Sequence, residues 1–132
     1  MLKMKRGKYS VGVDIEEIER FRKLDFKSNK QFYKRIFTGA EIDYCLKKPK
    51  PHQHFCARFA AKEAIIKAVN KIDMLDFKQI QILNEKDGAP HIELINYDGK
   101  LLSRDFKLSL SHNNINAVAF VIYEDGNFRR KG

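Results

Sequence analysis

The stretch from His52 to Lys71 constrains the fold of this chain more than any other part of the sequence. It is rich in alanine and contains neither glycine nor proline, a composition that favours an α-helix. Its large apolar residues form a stripe at helical spacing, namely Phe55, Phe59, Ile66 and Val69. The sequence therefore predicts a long central helix.

The residues before this helix predict one strand and three short helices. Residues 9–15 have the β-branched pattern of a strand, and the apolar spacing in residues 16–24 and 32–37 predicts two helices. Thr38 and Glu41 have the spacing of a capping box, which predicts the start of a third helix. We expect Pro49 and Pro51 to end that helix and form a linker.

The residues after the central helix predict mainly strands. Residues 79–83 alternate polar and apolar side chains, and the Asp87-Gly88 turn predicts a hairpin with residues 91–95. Two further strands are predicted over residues 107–111 and 117–123, and a short helix over residues 101–106. Together the elements predict one α+β domain over residues 1–132, with a small antiparallel sheet packed against the long central helix and shorter helices.

Composition excludes several classes of protein. A chain of 132 residues with 43% hydrophobic residues is long and apolar enough to bury a core. No apolar run approaches the roughly 20 residues of a membrane span, and we see no signal peptide. Cys45 and Cys56 do not make a disulfide framework, so we expect reduced thiols in a cytoplasmic protein. The basic ends, residues 1–8 and 126–132, are expected to be loose tails.

The net charge of +9, from 26 Lys and Arg against 17 Asp and Glu, favours an anionic partner. Nucleic acid, an anionic membrane, a phosphorylated small molecule and an acidic protein all meet that description. Between Arg20 and Lys50 ten basic residues face three acidic ones, which predicts a basic face. Any single lysine there is nevertheless more often a solvated surface charge than a contact.

Two sets of charged residues are candidates for chemistry. Asp14 follows the apolar run Val11-Gly12-Val13, where a carboxylate is costly unless it is paired or binds a metal. The alternative is that Asp14, with Glu16 and Glu17, complements the N-terminus of the next helix. Glu63 and Lys67 share one helix face, either as an ordinary ion pair or, with Arg58, as the border of a cleft.

Other chemistries lack the residue spacing that they need. Ser109, Ser111 and His112 are not accompanied by a G-x-S-x-G elbow, which argues against a serine hydrolase. Four residues with zinc-binding side chains, Cys45, His52, His54 and Cys56, fit none of the usual zinc patterns. The phosphate-binding loops of nucleotide-binding proteins and the usual RNA-binding motifs are also missing from the sequence.

Three motifs, in this order along the chain, resemble those of the 4′-phosphopantetheinyl transferases. They are V-G-V-D-I at 11–15, R-F-A-A-K-E-A-I-I-K-A at 58–68 and L-S-L-S-H at 108–112. R-I-F-T at 35–38 with Glu41, and G-A-P at 88–90, support the match. The resemblance covers residues 9–123, and the length resembles the short holo-acyl-carrier-protein synthase group.

The resemblance implies the fold of that family and its reaction. Such enzymes transfer 4′-phosphopantetheine from coenzyme A to a serine of apo acyl carrier protein, release adenosine 3′,5′-bisphosphate and serve fatty acid biosynthesis. The family match assigns Mg²⁺ to Asp14 and Glu63, and catalysis to these two residues and Lys67. It assigns coenzyme A contacts to Arg58, Lys67, Pro90, Ser111 and His112. Glu63 and a metal-bound water both remain candidates for the general base.

The resemblance also implies partners. The family docks its acidic carrier protein on a basic first helix; Arg20 matches its docking arginine, and Arg22, Lys23 and Lys27 would extend the basic patch. Small members are homotrimers that bind coenzyme A between subunits, so we expect a homotrimer with interfacial sites and no membrane or nucleic-acid partner. Two departures are residues 69–73, where many relatives have a glycine pair, and the unusual K-P-K-P-H-Q-H stretch at 48–54. The alternative, a basic nucleic-acid-binding protein without enzymatic activity, explains the charge but not Asp14 and Glu63.

Overall fold

The computed structural model describes residues 8–126 as an α+β fold, which confirms the predicted class. The elements are β1 (Tyr9–Glu17), α1 (Ile18–Lys23), α2 (Lys30–Ile36), α3 (Gly39–Leu46), α4 (Pro51–Val69), β2 (Ile80–Asn84), β3 (Pro90–Leu94), β4 (Phe106–His112) and β5 (Asn116–Glu124). Short 3-10 turns, Phe77–Gln79 and Ser103–Asp105, precede β2 and β4. Within these residues, no helix is both long and apolar enough to cross a membrane.

The strands form two antiparallel sheets, where the sequence predicted a single one. β5 lies between β1 and β4 in a three-stranded sheet, and the predicted hairpin of β2 and β3 forms the second sheet by itself. Asp14 pairs with Ala119, while Glu16 and His112 pair with Ala117 from opposite sides. Since side chains alternate along a strand, Asp14, Glu16 and His112 belong to one face of the sheet.

Helix α4 packs against this same face at very short range. Gly12 makes the approach possible, because a Cβ atom built on it would lie 1.9 Å from the carbonyl oxygen of Ala64. The helix presents small residues to the sheet, and Ala60, Ala64 and Ala68 are all buried. The acidic residues of β1 are thereby held next to the polar side of α4.

Two apolar cores flank α4. One lies between α4 and the strands and includes Ile65, Val69, Ile80 and Val121. The other joins α1, α2 and α3 to the first half of α4, and its centre is aromatic: Phe21, Tyr33, Phe37 and Phe55. Ring contacts such as Tyr33 with Phe55, at 4.6 Å between centroids, hold the short helices in place.

A buried ion pair between Lys62 of α4 and Glu41 of α3 connects these parts of the fold. Their Nζ and Oε1 atoms are 2.7 Å apart and both side chains are 0% exposed. Burial lowers the pKa of Lys62, and the charge of Glu41 opposes that change. Glu41 also completes the predicted capping box, because its Oε1 accepts a hydrogen bond from the Thr38 backbone N–H at 2.8 Å.

Element ends differ from the predictions at the start of two helices. β1 pairs with β5 as far as Glu17, so the first helix starts at Ile18 and not at residue 16. Pro51, predicted to lie in a linker, is in the first turn of α4. Proline suits that position, because its missing N–H would have no partner within the helix.

Three further predictions need correction or qualification. In the predicted helix over residues 101–106 only Ser103–Asp105 is helical, and Phe106 already begins β4. Ile66, placed in the apolar stripe of the central helix, is half-buried. The predicted tails lie outside the described residues except at their inner ends, where the Lys8 carbonyl accepts a 2.7 Å hydrogen bond from the Asp125 backbone N–H.

Candidate active site

Asp14 lies in the middle of β1, on the face covered by α4. Its side chain is only 10% exposed, and its Oδ1 atom is 3.0 Å from Nζ of Lys67. The same ammonium donates to the carbonyl oxygen of Val13 at 3.2 Å. The buried Oδ2 atom of Asp14 has no hydrogen-bond partner among residues 8–126. Asp14 lies within β1, four residues before α1 begins, so the interpretation of Asp14 as a helix-terminal charge is wrong.

Glu63 of α4 and Glu16 of β1 lie near Asp14. Burial and the charge of Asp14 raise the pKa of Glu63, whereas Lys67 and Arg20 lower it. Burial, followed by a hydrogen bond to Asp14 and its charge, raises the pKa of Glu16 to about 7. Three carboxyls thus share one region with two basic groups.

Glu16 is the residue of this region that the sequence analysis did not assign to the site. The signal was present in the strand period, because a residue two positions after Asp14 lies on the same face. The interpretation of residues 16–24 as helix concealed it. Of the sequence-predicted residues, the structure brings Asp14, Glu63 and Lys67 together.

The donor set fits a divalent cation of the Mg²⁺ type. Mg²⁺ prefers hard oxygen ligands and is commonly held by one or two carboxylates together with water and substrate phosphates. Asp14 and Glu63 supply two carboxylates, and Oδ2 of Asp14 receives no hydrogen bond among residues 8–126 when Glu16 is ionised. Across residues 8–126 no three acidic, histidine or cysteine side chains are grouped to bind a metal unaided. A cation here would need oxygens from a substrate or from water.

Arg58 makes its contacts with residues outside this carboxylate group, and the common cleft with Glu63 and Lys67 stays a prediction. It is 3% exposed, and its Nη2 atom donates to Oδ1 of Asn84. Its guanidinium carbon is 4.2 Å from the centroid of the Tyr44 ring, while its buried Nε has no partner in the described part of the chain. Arg58 is therefore fixed in place.

Further basic groups surround Tyr44. Lys48 Nζ lies 4.6 Å from the centroid of the Tyr44 ring, and the ring of His54 lies 5.9 Å from it. Burial lowers the pKa of His54, and the positive charges of Arg58, Lys48 and His112 lower it further. None of the groups that shift this pKa is acidic. We call Lys48, His54, Arg58 and His112 the cationic cluster; Lys48 and Arg58 supply its positive charge, because the lowered pKa of His54 favours the neutral imidazole.

Pro90 and Ser111 are not members of the cationic cluster, and they lie at different places. Ser111 is exposed near the end of β4, next to His112. Pro90 begins β3 and lines a groove with Phe106 and Lys107, which are at the opposite end of β4. Pro90 also pairs with Asn84 of β2, whose side-chain oxygen accepts the hydrogen bond of Arg58, so Pro90 lies close to that predicted coenzyme A contact.

The predicted docking residues lie on or after α1. Arg20 is 54% exposed and its Nη1 atom is 3.3 Å from Oε1 of Glu16. Its guanidinium also lies over the rings of Phe59, at 5.5 Å, and Phe21, at 5.9 Å. Arg22 bonds to Glu19 of the same helix. Arg22 and Lys27 line a groove with an apolar floor between α1, α2 and the start of α4, while Lys23 is exposed at the end of α1.

Comparison with known proteins shows which family the chain resembles. The family model of the 4′-phosphopantetheinyl transferase superfamily matches residues 10–121. The holo-(acyl-carrier-protein) synthase of Chloroherpeton thalassium is 44% identical over 116 residues, which cover 86% of this chain and 96% of that protein. The synthase of Thermodesulfovibrio yellowstonii is 39% identical over 112 residues, covering 85% and 95%.

Solved structures of such synthases share the fold. That of Bacillus anthracis in complex with CoA (3′,5′-ADP) has a TM-score of 0.71 at 29% identity and covers 89% of this chain and 96% of that chain. That of Helicobacter pylori in complex with coenzyme A has a TM-score of 0.67 at 28% identity, covering 84% and 96%. By motif, site geometry, sequence and fold, this chain belongs to the holo-(acyl-carrier-protein) synthase family of the 4′-phosphopantetheinyl transferase superfamily.

Proposed function

We propose that this protein transfers the 4′-phosphopantetheine group of coenzyme A to a serine hydroxyl of an apo acyl carrier protein and releases adenosine 3′,5′-bisphosphate. The observation that carries the proposal is the meeting of Asp14, Glu63 and Lys67 where β1 crosses α4. The reaction breaks a diphosphate, so negative charge develops on the leaving phosphate. A site with carboxylates for a cation and an ammonium for a phosphate suits that chemistry.

Asp14 and Glu63 are the residues that would hold Mg²⁺ in this proposal. A bound Mg²⁺ would polarise the phosphate oxygens and offset the charge of the leaving group. Lys67 donates to Asp14 at 3.0 Å and is 51% exposed, so its flexible side chain can turn to a phosphate oxygen without a change in the backbone. Glu63 remains a candidate base for the serine proton, since its raised pKa brings it closer to the pH at which a base acts.

The cationic cluster supports binding of the coenzyme A phosphates. Arg58 and His112, which the family resemblance assigned to coenzyme A, both belong to it, and Ser111 is adjacent to His112 in β4. The cluster adds Lys48 and His54, two residues from the unusual stretch at 48–54. A phosphate would compensate the positive charges of Lys48 and Arg58.

The exposed face of the three-stranded sheet supports a homotrimer. Tyr9, Val11, Val13 and Ile15 are each more than half exposed, and Phe120 on β5 is 42% exposed. A contiguous apolar patch of this kind marks an interaction surface. We expect subunits to meet on this face, so that residues of one subunit complete the coenzyme A site of its neighbour. A Val13→Glu variant should then be monomeric by light scattering. A wild-type protein that is active but monomeric in the same measurement would contradict an interfacial site.

The basic first helix supports docking of an acidic carrier protein. The exposed side chains of Arg20, Arg22, Lys23 and Lys27 extend the positive surface from the carboxylates to the groove beside α2. Opposite charges on the two partners would steer their encounter. Since coenzyme A and carrier protein meet in the cytoplasm, we expect the protein there, with neither a membrane nor nucleic acid as partner.

The experiment that tests the site compares Asp14→Asn and Glu63→Gln with Glu85→Gln, an exposed carboxylate on the turn after β2. Transfer to apo carrier protein is followed by mass spectrometry with saturating coenzyme A and Mg²⁺. Loss of a cation ligand removes several kcal/mol of charge stabilisation, so both site variants should be at least about 100-fold slower. Glu85→Gln should match the wild type. Near-normal rates in both site variants would refute the cation assignment.

A further inference from the structure

Arg20 contacts two parts of the molecule that the proposed function keeps separate. Its backbone belongs to α1, the helix proposed to receive the carrier protein, and its side chain is 54% exposed. Its guanidinium nevertheless bonds to Glu16, whose side chain is only 15% exposed and lies beside Asp14. One side chain therefore spans the docking surface and the carboxylate site.

The positive charge of Arg20 acts on more carboxyls than Glu16 alone. The positive charge of Arg20 lowers the pKa of Glu63 on α4 as well as that of Glu16. In the described structure, Lys67 and Arg20 are the basic groups that offset the three carboxyls. The rings of Phe21 and Phe59 support the guanidinium, which would let it exchange hydrogen-bond partners without leaving its position.

We propose that Arg20 couples carrier docking to cation binding, by bonding to Glu16 when the carboxylate site is empty and to an acidic group of the carrier protein when the site holds a divalent cation. The inference rests on the proposed function, because it assumes both the cation site and the docking helix.

The coupling follows from charge. A divalent cation at Asp14 and Glu63 would balance the negative charge that Arg20 offsets in its absence. It would also repel the guanidinium of Arg20. The contact of Arg20 with Glu16 weakens, and its donors become available to a carboxylate on the partner. Coupling between two binding events is reciprocal, so the carrier protein must strengthen cation binding by the same factor.

A second ion pair on α1, between Glu19 and Arg22, provides a matched control for the proposed coupling. Glu19 bonds to Arg22 on the same helix, as Glu16 bonds to Arg20, but Glu19 is 47% exposed and is not among the charges that act on Glu16 or Glu63. Glu16→Gln and Glu19→Gln each replace one carboxyl group by its amide, and each weakens the bond of one arginine. Only Glu16→Gln breaks the link to the carboxylate site.

The test is the dissociation constant of the carrier protein, measured by calorimetry without coenzyme A, with and without Mg²⁺ at constant ionic strength. The carrier is an apo acyl carrier protein whose acceptor serine is replaced by alanine, so no transfer can occur. Mg²⁺ should strengthen binding to the wild type and to Glu19→Gln by roughly fivefold. For Glu16→Gln the factor should be close to one, with binding in the absence of Mg²⁺ at least as tight as that of the wild type.

Equal Mg²⁺ factors in all three proteins, or no Mg²⁺ effect on the wild type, would overturn the coupling. Circular dichroism and melting curves of the two variants should match the wild type, which separates a lost link from a lost fold. Separate titrations with Mg²⁺ alone and with carrier protein alone distinguish failure of the proposed function from failure of the coupling. If the wild type binds neither, the proposed function fails with the inference, whereas binding of both without coupling overturns the inference only.

Discussion

Replacing Lys62 with methionine should destabilise this protein more than other single lysine changes in the described chain. The ammonium of Lys62 makes three hydrogen bonds, to Oε1 of Glu41 at 2.7 Å and to the carbonyl oxygens of Ile36 at 2.7 Å and Phe77 at 3.0 Å. Methionine fills a similar volume but donates none of these bonds. The variant leaves the carboxylate of Glu41 buried without its counter-charge.

The magnitude follows from the burial of both partners, each 0% exposed. Breaking a buried ion pair by removing one partner typically costs about 3–5 kcal/mol. For a domain of this length, 1 kcal/mol corresponds to a change in Tm of roughly 4 °C, so Tm should fall by about 12–20 °C. Burial lowers the pKa of Lys62, and the charge and hydrogen bond of Glu41 oppose that change, so Glu41 stabilises the charged form of Lys62.

The assay is thermal and urea unfolding followed by circular dichroism, with Lys71→Met as the control because Lys71 is exposed just after α4. Lys71→Met should change the free energy of unfolding by less than about 0.5 kcal/mol. Adding Glu41→Gln to Lys62→Met removes the uncompensated charge, so the double variant should be more stable than the sum of the single changes predicts, by about 0.5–3 kcal/mol. A loss below about 1 kcal/mol for Lys62→Met, or strict additivity, would refute the reasoning.

Three further predictions address other parts of the molecule. Gly12→Ala should lower stability by about 1–3 kcal/mol or more and abolish transfer, because its Cβ would lie 1.9 Å from the carbonyl oxygen of Ala64; an unchanged Tm would contradict the close packing of β1 on α4. Arg20→Glu should raise KM for carrier protein more than KM for coenzyme A, with a smaller difference at high salt, and equal effects on both substrates would argue against docking at α1. Burial raises the pKa of the Cys45 and Cys56 thiols to about 12, so at pH 8 both stay protonated and should react with a thiol reagent only after unfolding; rapid labelling of the native protein would show that they are accessible.

Local patterns predicted most of the secondary structure. The central helix was identified because its composition and spacing agree over many residues, and the Thr38 and Glu41 capping box is formed as predicted. The hairpin of β2 and β3 follows from the Asp87-Gly88 turn, in which Gly88 has a φ of 90°. These features depend on neighbours in sequence.

Features that depend on distant contacts were missed. The sequence did not indicate that β1 extends through Glu16, because pairing with β5 decides that boundary. Nor did it indicate that Lys62 is buried while the nearby Lys67 is half-exposed, since each position depends on the side of α4 that faces a neighbouring element.

The most direct measurement of the central claim is the mass of an apo acyl carrier protein after incubation with this protein, coenzyme A and Mg²⁺. The account predicts that the carrier gains one phosphopantetheine on its serine, that adenosine 3′,5′-bisphosphate is released, and that EDTA prevents both. A folded protein that leaves the mass of several carrier proteins unchanged would contradict the claim of transfer. A full gain of mass in excess EDTA would contradict the role of Asp14 and Glu63 as cation ligands.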